Sequence, residues 1–251
     1  MIGFGAIGLE VTRHLDGYVN AQICQIMVRP GRENEVRELL NTDIQVISSV
    51  KAVNPMPDLE DTVQGDVSDF DTLLKATEGM DAVIHLPGND SQWGEVLQNA
   101  LTGTYNMLEA SKQNGVRRIA YASRAGVLPR SYYTRSIQRT VDMPTRPDSY
   151  YSVSKVFGES LGYMYATRFD MEVVAVRIGN FQLERDLPGH PHHLSHGDAV
   201  LVFERAVIQP GIRFEVVFGV SDSTWKLYDL DHGRKVIGYN PQDKSIVEPE
   251  L

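Results

Sequence analysis

The sequence predicts an α/β fold in which helices cover both faces of a doubly wound parallel β-sheet. Apolar runs typical of buried strands alternate along the chain with helical stretches, which is the order that such a sheet requires. The segments between successive strands are long enough for helical crossovers. The chain has 251 residues, of which 42% are apolar, so it can bury the core of one large domain.

Each element is predicted from its own local pattern, and strands and helices follow one another in turn. Strands are predicted at Gln22–Val28, Thr62–Gly65, Ala82–Leu86, Arg118–Ala122, Val173–Ile178 and Phe214–Phe218. Helices are predicted at Ile7–Leu15, Phe70–Thr77, Glu95–Asn114, Ser152–Thr167 and Ala199–Val207. Ser68 and Asp71 could form a capping box for the second of these helices. The segment Glu33–Asp61 could hold a further helix at Glu33–Leu40 and a strand at Ile44–Ser49.

The start of the chain conflicts with this layout. Gly3, Gly5 and Gly8 form a G-x-G-x-x-G motif, which in a doubly wound sheet follows the first, central strand. The chain begins where that strand should already have ended, so we expect the first strand to be missing. Either the chain is shortened relative to its ancestor or another segment fills the central position.

Composition restricts the function classes. A formal charge of -9 disfavours nucleic acids and anionic membranes as partners, because both repel an acidic surface. Cys24 is the only cysteine, which excludes an intrachain disulfide and a cysteine metal cage. No apolar run reaches the roughly 20 residues of a membrane span, and the N-terminus lacks a signal pattern. We therefore expect a cytoplasmic protein that acts on a small molecule, with a homodimer as one open alternative for its assembly.

The glycine motif predicts a dinucleotide site. The three glycines permit a tight turn and close approach of the backbone to a pyrophosphate, beside a positively polarised helix N-terminus. A glycine-rich N-terminal arm is the alternative. Where NAD sites carry an acid, this chain has Arg29 and Arg32, which could hold the 2′-phosphate of NADP or could equally be solvated loop residues. The cofactor prediction is NAD(P), with NADP favoured.

Further cofactor contacts are predicted at the carboxyl ends of strands, where open α/β sheets bind ligands. Asp66 and Val67 follow the strand predicted at Thr62–Gly65. The Asp66 carboxylate could bond the adenine amino group, although a simple turn is the alternative. Leu86 ends the strand predicted at Ala82–Leu86 and is followed two residues later by Gly88. The missing side chain of this glycine would let the backbone pass close to a cofactor.

Tyr151 and Lys155 form the strongest catalytic pattern. Residues four apart on a helix share a face, so the Lys155 ammonium can stabilise the tyrosinate form of Tyr151. Such a phenol can exchange a proton with a substrate hydroxyl or carbonyl while a hydride moves to or from nicotinamide. Lys155 could also hold the nicotinamide ribose.

Around this pair the chain resembles the extended short-chain dehydrogenase/reductases, the NAD-dependent epimerase/dehydratase family. Within that family it resembles most the uronate dehydrogenase and archaeal sugar-phosphate dehydrogenase group. The motifs that carry the resemblance are Asp81–Leu86, Gly103–Asn106, Arg146–Asp148, Tyr151–Lys155, Val176–Asn180, Ser195–Asp198, Gly219–Asp222 and Gly238–Pro241. The resemblance implies a Rossmann-like fold, a nicotinamide cofactor, and a sugar or sugar acid oxidised at its anomeric carbon.

The resemblance also implies a division of the chain into a nucleotide-binding core, residues 1–180, and a small C-terminal substrate region, residues 181–251. By position Asn180, Arg185, Ser195 and His196 would line the substrate pocket, with Arg185 holding an anionic group. Gly189–His196 contains four histidines, but without metal-ligand spacing we expect a pocket-lining loop and no metal.

Several positions depart from the family pattern. Arg124 takes the place of the catalytic serine, and the family's N-x-x-G asparagine falls on Ala100. Arg124 could donate to a carbonyl or carboxylate, or Ser123 could substitute if the strand end shifted register. We predict an oxidoreductase with Tyr151, Lys155, Ser123 and Arg124 as catalytic candidates. A sugar epimerase or dehydratase, and a non-catalytic nucleotide-binding homologue, remain alternatives.

Overall fold

The computed structural model describes residues 2–3, 26–27, 65–88, 92–134, 136–181 and 190–248, and its central feature is a parallel β-sheet. Six strands lie in the order β2-β1-β3-β4-β5-β6, and every neighbouring pair is parallel. They are β1 Ile2–Gly3, β2 Ile26–Met27, β3 Ala82–His85, β4 Arg118–Arg124, β5 Glu172–Ile178 and β6 Phe214–Gly219. The prediction of parallel strands joined by crossovers is confirmed.

Helices connect these strands in the described parts of the chain. They are α1 Phe70–Ala76, α2 Trp93–Glu95, α3 Gly103–Gln113, α4 Tyr150–Arg168, α5 His196–Ile208 and α6 Asp231–Ile237. A π-helical segment, Val96–Thr102, joins α2 to α3 without a break. In the portion of the molecule that the structure describes, no helix has the length and apolar character needed to cross a membrane.

The two faces of the sheet carry separate helical layers, as alternate residues of β4 demonstrate. Ile119 packs in one buried cluster with Leu73 of α1 and Met107 of α3. The next residue, Ala120, packs in the other cluster with Phe203 of α5. Successive side chains of a strand point to opposite faces, so the doubly wound arrangement predicted from the sequence is confirmed.

The first strand, expected to be missing, is present as β1. Ile2 pairs in parallel with Ile26 on one side and Ile84 on the other. A strand of two residues is enough to join its neighbours in one sheet, because one residue of an inner strand can be paired with both of them. Gly3 therefore lies within the strand that was expected to precede it. The helix predicted at 7–15 lies outside the described residues.

Helix α1 begins differently from the prediction. Its N-cap is Asp69, whose carboxylate accepts hydrogen bonds from the backbone N–H groups of Asp71 and Thr72. The backbone N–H of Ser68 is instead bonded to the Asp66 carboxylate. The capping box of Ser68 was wrong because an aspartate stands one position nearer the helix and caps it. The strand predicted at 62–65, apart from Gly65, and the elements predicted within 33–61 lie outside the described residues.

The C-terminal region contains elements that the sequence did not predict, namely α6 and a small parallel pair, β7 Asp222–Ser223 with β8 Lys244–Ser245. The buried carboxylate of Asp198 in α5 accepts hydrogen bonds from the backbone N–H groups of Gln242, at 2.7 Å, and Asp243, at 3.2 Å. Burial raises the pKa of Asp198. This carboxylate therefore fastens the segment before β8 onto α5.

Candidate active site

Tyr151 and Lys155 are placed on one face of α4 by the residue that caps this helix. Ser149 is extended, and its hydroxyl accepts a hydrogen bond from the backbone N–H of Ser152, so the helix begins at Tyr150. Tyr151 then lies in the first turn and Lys155 one turn later. The Lys155 Nζ atom is 5.2 Å from the centroid of the Tyr151 ring, so the structure brings the two side chains together.

The ammonium group of Lys155 is enclosed by the segment after β3, by β4 and by its own helix, α4. Lys155 is only 2% exposed, and its Nζ donates a hydrogen bond to the Pro87 carbonyl at 3.0 Å. Nζ also lies 5.2 Å from the centroid of the Tyr121 ring, the same distance as from Tyr151. Gly88 has a φ of +115°, and a Cβ there would lie 3.2 Å from Nζ. Glycine is therefore favoured by both the backbone conformation and the close approach.

A buried polar layer lies beneath Lys155. His85, the last residue of β3, is 1% exposed, and its ring stacks on Tyr121 with 5.9 Å between centroids. His85 Nε2 lies 3.4 Å from the Thr104 hydroxyl, which donates to the Ala100 carbonyl at 2.6 Å. Because that hydroxyl has one hydrogen, Nε2 is the protonated nitrogen. Burial, with Lys155 nearby, lowers the pKa of His85 to about 3, so the imidazole is neutral.

His85, Thr104 and Tyr121 were not among the residues predicted for the site. Burial raises the pKa of Tyr121 far above its ordinary value, so its phenol stays protonated under Lys155. For His85 and Tyr121, the signal that could have found them is a polar side chain inside an apolar strand pattern, since a buried polar group needs a partner.

Arg124 reaches the same pair from the end of β4. Its Nη1 donates a hydrogen bond to the Ser152 hydroxyl at 3.2 Å, and its guanidinium carbon lies 5.2 Å from the centroid of the Tyr151 ring. Gly126 provides the space, because a Cβ there would lie 2.6 Å from Nε and Nη2 of Arg124. The residue that takes the catalytic serine's place thus brings a positive charge to Tyr151.

The hydroxyl of Ser123, a predicted catalytic residue, is bonded within the packing of α4 on the sheet and not to Tyr151. Its hydroxyl donates to Glu159 Oε1 at 2.6 Å. Glu159 also accepts from Nε and Nη2 of Arg177, at 2.9 and 2.8 Å. Glu159 lies two turns beyond Tyr151, about 12 Å along the helix. The register did not shift, and strand alternation directs Ser123 into the packing of α4 on the sheet.

Among the predicted cofactor residues that the structure describes, Gly3 and Leu86 lie at the carboxyl end of the sheet, Lys155 lies on α4, and Asp66 and Val67 lie before α1. Asp66 is exposed, and the Val67 carbonyl accepts a hydrogen bond from Nδ2 of Asn106 at 3.2 Å. Leu86 directly follows β3 and packs against the core, while Gly3 lies in the neighbouring β1. The predicted residues Gly5, Gly8, Arg29 and Arg32 lie outside the described residues.

Of the predicted substrate residues, Asn180 and His196 lie near the end of β5. Asn180 follows Ile178, which pairs in register with Arg124, and its Nδ2 is 2.9 Å from Nε2 of His190. The ring of His196 tilts against Phe181, with centroids 5.0 Å apart. Arg185 lies outside the described residues.

Ser195, a predicted substrate residue, has a structural role at the start of α5. Its hydroxyl is the N-cap of α5, accepting from the backbone N–H of Asp198 at 3.1 Å, and it donates to Asp243 Oδ2 at 2.6 Å. Both functions of the hydroxyl are thereby used. The sequence does not reveal this role, because the partner of the serine, Asp243, is 48 positions away in the chain.

The histidine-rich segment is organised by hydrogen bonds with neighbouring side chains. Nε of Arg130 donates to Nε2 of His192 at 3.0 Å, so the proton of this imidazole is on Nδ1 and is donated to the Tyr228 oxygen at 2.6 Å. Within the described ranges, no three histidine, cysteine or acidic side chains are grouped so that they could hold a metal ion.

Comparisons with known proteins agree with the parallel α/β sheet of this chain. The chain matches the model of the NAD dependent epimerase/dehydratase family over residues 18–197. It is 35% identical over 215 residues to the NAD-dependent glucose-6-phosphate dehydrogenase of Haloferax volcanii, an alignment that covers 76% of this chain and 80% of that protein.

Uronate dehydrogenases are similar in both sequence and structure. The chain is 32% identical over 189 residues to the uronate dehydrogenase of Pseudomonas putida, covering 74% of this chain and 69% of that protein. A solved structure of a mutated uronate dehydrogenase matches with a TM-score of 0.79 and 28% identity, over 97% of this chain and 81% of that one.

Proposed function

The chain belongs to the NAD-dependent epimerase/dehydratase family, and we propose that it is an NAD(P)-dependent dehydrogenase that oxidises a sugar or sugar acid at its anomeric carbon. The observation that carries the proposal is the buried Lys155 ammonium, set against the ring of Tyr151. The names of two relatives support the substrate class, because glucose 6-phosphate and uronates are sugars with an acidic group.

In this proposal Tyr151 accepts the proton of the substrate hydroxyl. Bound nicotinamide supplies the acceptor for the hydride that leaves the substrate carbon. The hydroxyl proton must leave as well, and the Tyr151 oxygen takes it while it is a phenolate. Lys155, held by the Pro87 carbonyl, favours that phenolate by its charge, and its desolvation strengthens the interaction.

The residues present fit a dinucleotide. β1 lies between β2 and β3 and ends at Gly3, the first glycine of the sequence motif with which this fold binds a pyrophosphate. A Cβ at Gly88 would fill the space beside Lys155 and Tyr151, at 3.2 and 3.4 Å from their atoms. The residues that we propose for holding the dinucleotide are Gly3, Gly5, Gly8, Arg29, Asp66, Val67, Leu86 and Lys155.

We also propose that NADP(H) binds more tightly than NAD(H). The support is in the sequence, where Arg29 and Arg32 stand in place of the acid that accepts bonds from the ribose hydroxyls of NAD. Calorimetric titration with both dinucleotides measures the preference. Equal or tighter NAD(H) binding, unchanged in Arg29→Ala, would remove this part of the proposal.

The experiment that tests the function is a turnover assay with both dinucleotides against a panel of uronic acids, sugar phosphates and neutral sugars. Tyr151→Phe should nearly abolish formation of the reduced dinucleotide and preserve dinucleotide binding, since only the proton-accepting oxygen is lost. Tyr150→Phe is the matched control, because Tyr150 is the adjacent tyrosine and is 56% exposed. Equal activity of the two variants would overturn the role of Tyr151.

A non-catalytic nucleotide-binding protein is the second candidate, and Arg124 is the observation that favours it. A cation beside the nicotinamide pocket opposes the positively charged, oxidised ring. Arg124→Ser removes that charge and restores the hydroxyl that the family uses. Bound dinucleotide without turnover in the natural protein, and turnover in Arg124→Ser, would favour this second candidate.

A further inference from the structure

Tyr151 is in contact with two cations, one from its own helix and one from β4. The Nζ atom of Lys155 and the guanidinium carbon of Arg124 each lie 5.2 Å from the centroid of the Tyr151 ring. At this distance a cation interacts with the face of an aromatic ring, and it interacts more strongly once the ring carries the negative charge of a phenolate.

Arg124 is held in this position by two neighbours. The Ser152 hydroxyl accepts a hydrogen bond from Nη1 at 3.2 Å, and Ser152 itself is adjacent to Tyr151. Gly126 leaves open the volume into which the guanidinium folds, since a Cβ would lie 2.6 Å from two of its nitrogens. Arginine at position 124 and glycine at position 126 are therefore sterically dependent on one another. A guanidinium also stays charged throughout the pH range in which an enzyme works.

Four titratable groups that interact with Lys155, Arg124 or Tyr121 in the described structure do not compete with these two charges. From β3, burial keeps His85 neutral, and its pKa is about 3. From β4, burial raises the pKa of Tyr121, and before α6 it raises the pKa of Tyr228 to about 12, so both are phenols. Glu159 on α4 is already paired with Arg177.

We propose that Arg124 is a second electrostatic partner of Tyr151, which lets Tyr151 act as a base at lower pH, and that Gly126 is the positioning residue that admits it. The inference rests on the proposed function, because it assigns Tyr151 the role of base. A positive charge favours the deprotonated form of a nearby acid, so two charges lower the pH of deprotonation further than Lys155 alone.

The test is the pH profile of kcat/KM for sugar oxidation, measured by formation of the reduced dinucleotide. In Arg124→Gln the midpoint of the acid limb should rise by about one pH unit, the size of effect that a nearby charge produces. Arg124→Lys keeps the charge and should stay closer to the natural protein. Gly126→Ala should raise the midpoint like Arg124→Gln, and it should add nothing further in the double variant. Gly94→Ala is the matched glycine control, because no heavy atom lies within 4 Å of a Cβ there.

A second readout separates this inference from the proposed function. The phenolate absorbance of Tyr151, obtained as the difference between each protein and its Tyr151→Phe counterpart, reports deprotonation without turnover. A midpoint that rises in Arg124→Gln supports the inference even if no sugar is oxidised, in which case the proposed function fails alone. An unchanged midpoint by absorbance would overturn the inference and leave the proposed function standing.

Discussion

The Nζ atom of Lys155 and the carbonyl oxygen of Pro87 are joined by a hydrogen bond of 3.0 Å, although the two residues are 68 positions apart in the sequence. This bond links α4 to the segment that leaves β3. It sets the ammonium group at the Tyr151 ring, and it brings Gly88 against the lysine. The position of the charge therefore depends on the loop as much as on the helix.

Gly88→Ala should lower activity more than it lowers stability. The new Cβ would lie 3.2 Å from Lys155 Nζ and 3.4 Å from Cε2 of Tyr151, and the φ of +115° adds backbone strain. We expect kcat to fall by about tenfold to a hundredfold, as for a small misplacement of a catalytic group. Gly79→Ala is the control, since Gly79 has a φ of +74° with no heavy atom within 4 Å of a Cβ. It should cost roughly 1–2 kcal/mol of stability and leave kcat unchanged. Equal kcat for the two variants would contradict the contact.

Ser123→Ala should destabilise the protein and leave its chemistry nearly intact. The variant removes the hydroxyl that donates to Glu159 in the buried network, at a cost of about 1–3 kcal/mol. Urea unfolding measures that cost, and the turnover assay measures kcat. A large loss of kcat with unchanged stability would return Ser123 to the active site.

Glu159→Gln should have one of the larger effects on stability. Glu159 and Arg177 form an ion pair at 2.8 Å with side chains only 9% and 4% exposed, and the variant leaves a buried arginine without its counter-charge. Breaking a buried pair in this way costs about 3–5 kcal/mol. The pair of Arg117 with Asp170 is exposed, so Asp170→Asn should cost no more than about 1 kcal/mol. Unfolding free energies that are alike for the two variants would disprove the distinction.

His85 should make stability depend on pH below its ordinary pKa of 6.5. Between that value and the folded-state pKa of about 3, the unfolded chain binds a proton at His85 that the folded protein excludes. Unfolding is therefore favoured as the pH falls, by up to about 1.4 kcal/mol per pH unit from this group. The difference in unfolding free energy between the natural protein and His85→Gln should show this slope. His232→Gln, at the partly exposed pair with Glu215, serves as the control. A difference that does not vary with pH would show that His85 is protonated in the folded state.

Local patterns in the sequence were enough to predict the sheet and the central pair. Apolar strands that alternate with helices require crossovers, and crossovers give parallel strands, so the parallel direction of the strands follows from periodicity. Tyr151 and Lys155 meet because helical spacing is a local property that holds in any fold. Both predictions depend only on residues that are close to one another in the sequence.

The tertiary structure decided which polar groups enter the site and which hold the fold together. Ser123 and Ser195 carry the same hydroxyl that a substrate residue would need, but distant carboxylates, Glu159 and Asp243, occupy both. Arg124 became part of the site because α4 presents Tyr151 and Ser152 to it and Gly126 leaves room. A side chain's hydrogen-bond partner is set by which strands and helices pack together, and that information lies in contacts between distant parts of the chain.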